Sequence, residues 1–216
     1  MKIQKLIDYH NRSTEVETYF CDIMTEDEKQ QAIDNVLKNE QFPLYYAEST
    51  SNKFPFFSHT IVGRHDHTKD SQKINSEIYY FFYNILERFC KKNNIELNYI
   101  LRAAVNVTYS NSDFKIGEPH VDNEFPHKTF ILYLNEFPED SDYNSTIVYD
   151  VKYADNQYSV LDFNINDEKE VESDFNIIAE YPPKFGWALC FNGEHYHTIR
   201  WPKNPQLRYI CVINFF

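Results

Sequence analysis

From Tyr99 to its last residue the chain is a succession of short segments rich in β-branched and aromatic residues, and this run constrains the fold most. "YILRAAVNVTYS" alternates Val105 and Val107 with Asn106 and Thr108, the period-two pattern of a half-buried strand. "HKTFILYLNEF", "NSTIVYDV", "YSVLDFNI", "FNIIAEYPP", "GWALCFNG" and "LRYICVINFF" follow, separated by turn-forming residues. So many strands at short intervals predict sheets that enclose a pocket.

Two helices precede them. In "TEDEKQQAIDNVLKN", Thr25 can cap the helix and Glu28 stands three residues on, the spacing of a reciprocal capping box. Ala32, Ile33, Val36 and Leu37 then form its apolar stripe. "NSEIYYFFYNILERFCKKNN" carries Ile78, Phe81, Phe82, Ile85, Leu86 and Phe89 on a wide apolar face suited to lying against a sheet. The chain opens with a short strand or loop, and "QFPLYYAES" reads as another short strand. Residues 53–73 read as a loop, with His65, Asp66 and His67 either solvated or part of a substrate-facing lid. No repeat, low-complexity tract or linker divides the 216 residues, so a mostly β (α+β) fold in one domain is expected.

A hydrophobic content of 42%, with 18 Phe and 17 Tyr, is enough to fill a core and excludes a disordered chain. The net charge of −12 argues against nucleic acid as a partner, since non-specific binding needs neutralising Lys and Arg. Cys21, Cys90, Cys190 and Cys211 show no CxxC pairing and read as buried thiols in a reducing compartment, with Cys190 and Cys211 the one pair placed for a disulfide. No secretory signal or membrane-spanning window is visible, so a soluble, cytoplasmic protein is expected. Oligomeric state is not legible.

The chemistry concentrates in "EPHVDNEFPHKTF" and "FNGEHYHTIR". His120 and Asp122 stand two apart. In an extended segment, which Pro119 favours, an imidazole and a carboxylate at that spacing share a face and can meet at one ion. A third ligand must come from His195 or His197. Two histidines and a carboxylate on one side of a metal are the usual holder of non-haem Fe(II), although zinc uses the same set. Arg208, Ile210 and Val212 share one face of the last strand, so a pocket-facing Arg208 would need an anionic partner.

"EPHVDN", "KTFILYLNEF", "STIVYD", "YPPKFGWALCFNG", "HTIR" and "RYICVINFF" in this order resemble the Fe(II)/2-oxoglutarate-dependent dioxygenases, in their prolyl-4-hydroxylase-like branch. The resemblance runs from Arg102 to Phe216. It implies a double-stranded β-helix (jelly roll) over residues 99–216, with residues 1–98 as mainly helical support. It also implies Fe(II) held by His120, Asp122 and His197, with His195 as the competitor for the last place. Arg208 would bind the distal carboxylate of 2-oxoglutarate, with Arg200 as its rival, while Tyr109, Tyr133 and Thr129 would bind or line the co-substrate, and Asn106 is a further possible contact. The implied reaction hydroxylates a prolyl residue or a related group in a peptide, protein or small molecule and releases succinate and CO2. The same ligands would also suit a cupin-like metal-binding module or a non-oxygenase enzyme. "YNSTIVYD" departs from the family by placing Asn144 and Ser145 where glycines are usual, and the acidic segment 152–175 has no counterpart.

Overall fold

The structure, a computed structural model, describes residues 2–7, 13–48, 55–64, 73–110, 115–123, 125–137, 144–153, 176–201 and 206–216. The strand expected over 158–165 and the triplet His65, Asp66 and His67 lie outside the described residues. Helix α1 (Glu26–Ala32) starts at the expected capping box: the Thr25 hydroxyl accepts from the Glu28 N–H while the Glu28 carboxylate accepts from the Thr25 N–H. A π-helical turn (Ile33–Leu37) continues it. Helix α2 (Tyr79–Asn93) ends at Asn94, whose left-handed φ of 55° closes the helix in the absence of glycine. Arg88 of α2 donates to Glu28 (2.6 Å) and to the Ile23 carbonyl (2.9 Å), tying the two helices together.

The strands are β1 (Lys2–Ile7), β2 (Ser13–Asp22), β3 (Tyr45–Ala47), β4 (Phe56–Val62), β5 (Ile100–Thr108), β6 (Lys128–Tyr133), β7 (Thr146–Lys152), β8 (Ile177–Tyr181), β9 (Trp187–Asn192), β10 (His195–Ile199) and β11 (Arg208–Phe215). They form an eight-stranded sheet in the order β1-β2-β9-β6-β11-β5-β4-β3 and a three-stranded sheet in the order β10-β7-β8. All pairings are antiparallel.

The expected helical support at residues 1–98 thus also supplies four strands to the large sheet. β4 lies in the segment read as a loop because its alternation is broken by a buried polar residue. His59 sits in the core, with its ring nitrogens bonded to the Pro43 carbonyl and the Ser76 hydroxyl, so a letter that reads as exposed is buried.

Alternation gives the large sheet two faces. Ala103, Val105, Phe130, Leu132, Ala188, Cys190, Cys211 and Ile213 pack with Phe82, Ile85, Leu86 and Phe89 of α2. Each such large side chain contributes about 1.5–3 kcal/mol on burial. Ile131, Tyr133, Leu189, Phe191, Ile210 and Val212 face the other way and meet Val148 of the small sheet. The four cysteines are free, so Cys190 and Cys211 form no disulfide. Among the described residues no helix is long and apolar enough to cross a membrane.

Candidate metal centre

The segment after β5 runs alongside β10 and extends the small sheet through bridges at Ile116–Arg200 and His120–His197. His120 and His197 exchange backbone hydrogen bonds in both directions, at 3.0 and 2.9 Å, which brings their rings to 4.6 Å between centroids. Asp122, two residues on, points the same way, with Oδ2 3.8 Å from His197 Nε2. One ligand atom from each of the three residues lies within 4.8 Å of the other two.

The tautomers suit metal binding. His120 Nδ1 bonds the Glu118 carbonyl at 2.9 Å, and His197 Nδ1 bonds the His195 carbonyl at 3.3 Å. Each Nδ1 therefore carries the proton, and each Nε2 keeps a lone pair for an ion. Burial, aided by the nearby His120, pushes the His197 imidazole down to about 4, so it is neutral at ordinary pH. Burial alone would raise the Asp122 carboxyl. His197, Arg102, His120 and the Asn214 amide outweigh it and hold Asp122 well below the usual carboxylate range. Two imidazoles and one carboxylate fit a divalent transition metal.

Asp122 is held from several sides. Asn214 Nδ2 donates to its Oδ2 at 2.8 Å and to Thr129 Oγ1 at 3.1 Å. Arg102 Nη1 lies 3.5 Å from Oδ1, and Arg64 Nη1 donates to the Asp122 backbone carbonyl at 2.7 Å. The sequence reading singled out none of these three for the site. Asn214 and Arg102 were nonetheless visible as polar letters inside apolar strands, and Asn214 shares its face with Arg208, Ile210 and Val212.

Further along the same face, Arg208 is 3% exposed. Its Nε donates to the Asn144 carbonyl (3.1 Å), its Nη2 donates to Thr146 Oγ1 (2.8 Å), and its guanidinium lies 5.5 Å from the Tyr133 ring. Tyr133 OH also donates to Thr146 Oγ1, at 2.8 Å. Thr146 belongs to the small sheet, so this group bridges the two sheets. Burial lowers the Arg208 pKa, and among the described residues no carboxylate pairs with the guanidinium. A buried cation without a counter-ion is costly.

Other expected residues fall elsewhere. Thr129 is buried in the network around Asp122, not beside Arg208. Tyr109 lies beyond the end of β5, half-buried, and among the described residues no hydrogen bond or ring contact links it to the triad or to Arg208. Asn106 accepts from the Ser58 hydroxyl. His195 is not among the three converging residues: a register shift in the β10–β7 pairing lies between it and His197, and its Nδ1 bonds the Tyr149 carbonyl. Arg200 pairs with Glu180 at 2.8 Å. Gly193 is required by close approach: a Cβ there would lie 2.1 Å from His127 Nε2.

No family model matches the chain, and no curated protein matches it. Solved structures do. A Trichoplax adhaerens prolyl hydroxylase in complex with a peptide fragment of the hypoxia-inducible-factor oxygen degradation domain aligns over 92% of this chain and 83% of its own, at 13% identity and a TM-score of 0.57. A Pseudomonas putida prolyl-4-hydroxylase aligns over 92% and 91%, at 11% identity and a TM-score of 0.53. HygX from Streptomyces hygroscopicus, with nickel, 2-oxoglutarate and hygromycin B bound, aligns over 93% and 82%, at 11% identity and a TM-score of 0.55. These likenesses are of fold. The chain has the two-sheet, jelly-roll-type fold seen in these structures, and on it His120, Asp122 and His197 converge.

Proposed function

We propose that this protein is an Fe(II)- and 2-oxoglutarate-dependent oxygenase, with His120, Asp122 and His197 as the metal ligands and Arg208 as the co-substrate anchor. The observation that carries this reading is the pairing of two features between the same two sheets: a His-Asp-His convergence and a buried guanidinium that pairs with no carboxylate among the described residues. A keto-diacid that chelates metal at one end would answer both. When bound, iron and 2-oxoglutarate would supply the oxidative decarboxylation that releases succinate and CO2 and delivers oxygen to a substrate C–H bond.

The protein's own contribution is positioning. The His120 and His197 backbone ladder fixes the two imidazoles, and their Nδ1 bonds aim both Nε2 atoms at one point. Asn214 and Arg102 fix the Asp122 carboxylate. Arg208 and Tyr133, with Thr146 between them, offer donors for the remote carboxylate. Ile131, Leu189, Phe191 and Val212 line the face between the two ends and keep it apolar. No side chain is called on as a general base.

The finer reading, hydroxylation of a prolyl residue in a peptide or protein or of a related group, draws support from the fold shared with two prolyl hydroxylases. The same fold in HygX and in the epimerase SnoN means that substrate must be decided by assay. The first test is anaerobic addition of Fe(II) with and without 2-oxoglutarate. The expected result is a weak visible charge-transfer band that appears only with both. Folded, metal-loaded protein without the band would overturn the proposal.

A further inference from the structure

We infer that the substrate of this site carries a carboxylate, seated on Arg102 with Arg64 beside it. This rests on the oxygenase reading above and adds the substrate's chemical class. Arg102 projects from β5 on the cavity face, opposite Asn214 in the β5–β11 ladder and next to the triad. Its side chain is 17% exposed, and among the described residues its partner is Asp122 Oδ1 at 3.5 Å. That separation is beyond a good hydrogen bond, so most of the planar guanidinium fork remains unengaged.

Arg64, exposed, uses one N–H on the Asp122 backbone carbonyl, and its charge acts on Arg102. Two guanidiniums thus meet at Asp122, Arg102 at the carboxylate and Arg64 at the backbone carbonyl, and that carboxylate is a ligand candidate already fixed on its other oxygen by Asn214. Once Asp122 is shared with a divalent ion, the local charge is strongly positive within a chain of net charge −12. His120 is exposed, so this positive corner opens outward rather than toward Arg208. An arginine held only to support Asp122 would sit closer and present a bidentate face to it. A mostly buried fork beside the triad, with donors to spare, instead matches a bound carboxylate.

The test uses protein loaded with redox-silent Zn(II) and saturated with 2-oxoglutarate. Trifluoroacetate is titrated in and followed by fluorine NMR, with neutral trifluoroacetamide as the control. Saturable binding of the anion and none of the amide is expected. The anion signal should be lost in Arg102→Gln and weakened in Arg64→Gln, with zinc content retained. If Arg102→Gln loses zinc, Arg64→Gln decides: unchanged binding there overturns the inference. Binding that persists in both variants would report the metal's open position and also overturns it, as does equal binding of the amide or no saturable binding. The titration is repeated without 2-oxoglutarate. Failure of 2-oxoglutarate itself to bind would count against the oxygenase reading, while loss of the trifluoroacetate response alone would count against the Arg102 assignment.

Discussion

The two faces of the large sheet are built from the same strands by the same alternation, yet they do different work. The face toward α2 packs Phe130, Leu132, Cys190, Cys211 and Ile213 on Phe89 and is apolar apart from His59, whose ring nitrogens are both bonded. The face toward the small sheet places Thr129, Asn214, Arg102 and Arg208 among Ile131, Phe191 and Val212. The first face gains from every group that it buries. The second holds charged and amide groups that cost stability unless each is paired. Stability and function are therefore expected to separate by strand parity, with adjacent residues on one strand serving opposite ends.

Substitutions should expose that separation. The largest functional effect belongs to Asp122→Ala, which removes the anionic ligand. Metal affinity and 2-oxoglutarate turnover should fall by more than the roughly 100-fold typical of losing a residue that merely supports a ligand. The metal-free protein should also lose some stability, because Arg102 and Asn214 are left without their acceptor, as thermal unfolding without metal will show. Phe89→Ala on the opposite face should cost about 3–5 kcal/mol in denaturant unfolding, while the folded fraction still binds metal. Asn214→Leu should weaken metal binding about 10–100-fold, read by competition with a chelating dye, because Asp122 Oδ2 loses its donor.

Arg208→Met sharpens the contrast further. It should weaken 2-oxoglutarate binding roughly 10–100-fold, since charge-assisted hydrogen bonds contribute about 1.5–3 kcal/mol each. Stability should stay level or rise, because a buried charge without a counter-ion is gone. The smallest effect lies outside both faces, at Glu180. Burial would raise this carboxyl, but hydrogen bonds from Arg200 and Ser145 hold it below the usual range. A depressed folded-state pKa contributes stability that is present above the unfolded value of about 4.3 and lost as pH falls through the folded one. Glu180→Gln should therefore lower stability at neutral pH by roughly 0.2–1 kcal/mol, as expected for a solvent-screened pair, and the difference should vanish in acid.

Alternation made much of this legible in the sequence. Ile210 and Val212 face the cavity and Cys211 and Ile213 the helix, as the last strand's pattern predicts, and the capping box at Thr25 is made. The pairing of His120 with His197 depends on a contact between distant segments that no local pattern states. The choice between His195 and His197 rests on the same kind of contact, since only His197 pairs with His120 while His195 bonds the Tyr149 carbonyl. β4 escaped notice because His59 is buried with both nitrogens satisfied. Asn214 and Arg102 were overlooked because a polar residue in an apolar strand signals its importance but not its partner.

The most direct measurement is a crystal structure of the protein grown with Mn(II) and 2-oxoglutarate under anaerobic conditions. The account predicts an anomalous peak bonded to His120 Nε2, His197 Nε2 and one Asp122 oxygen, with the co-substrate's far carboxylate on Arg208. A metal held by other residues, or a far carboxylate away from Arg208, would contradict it.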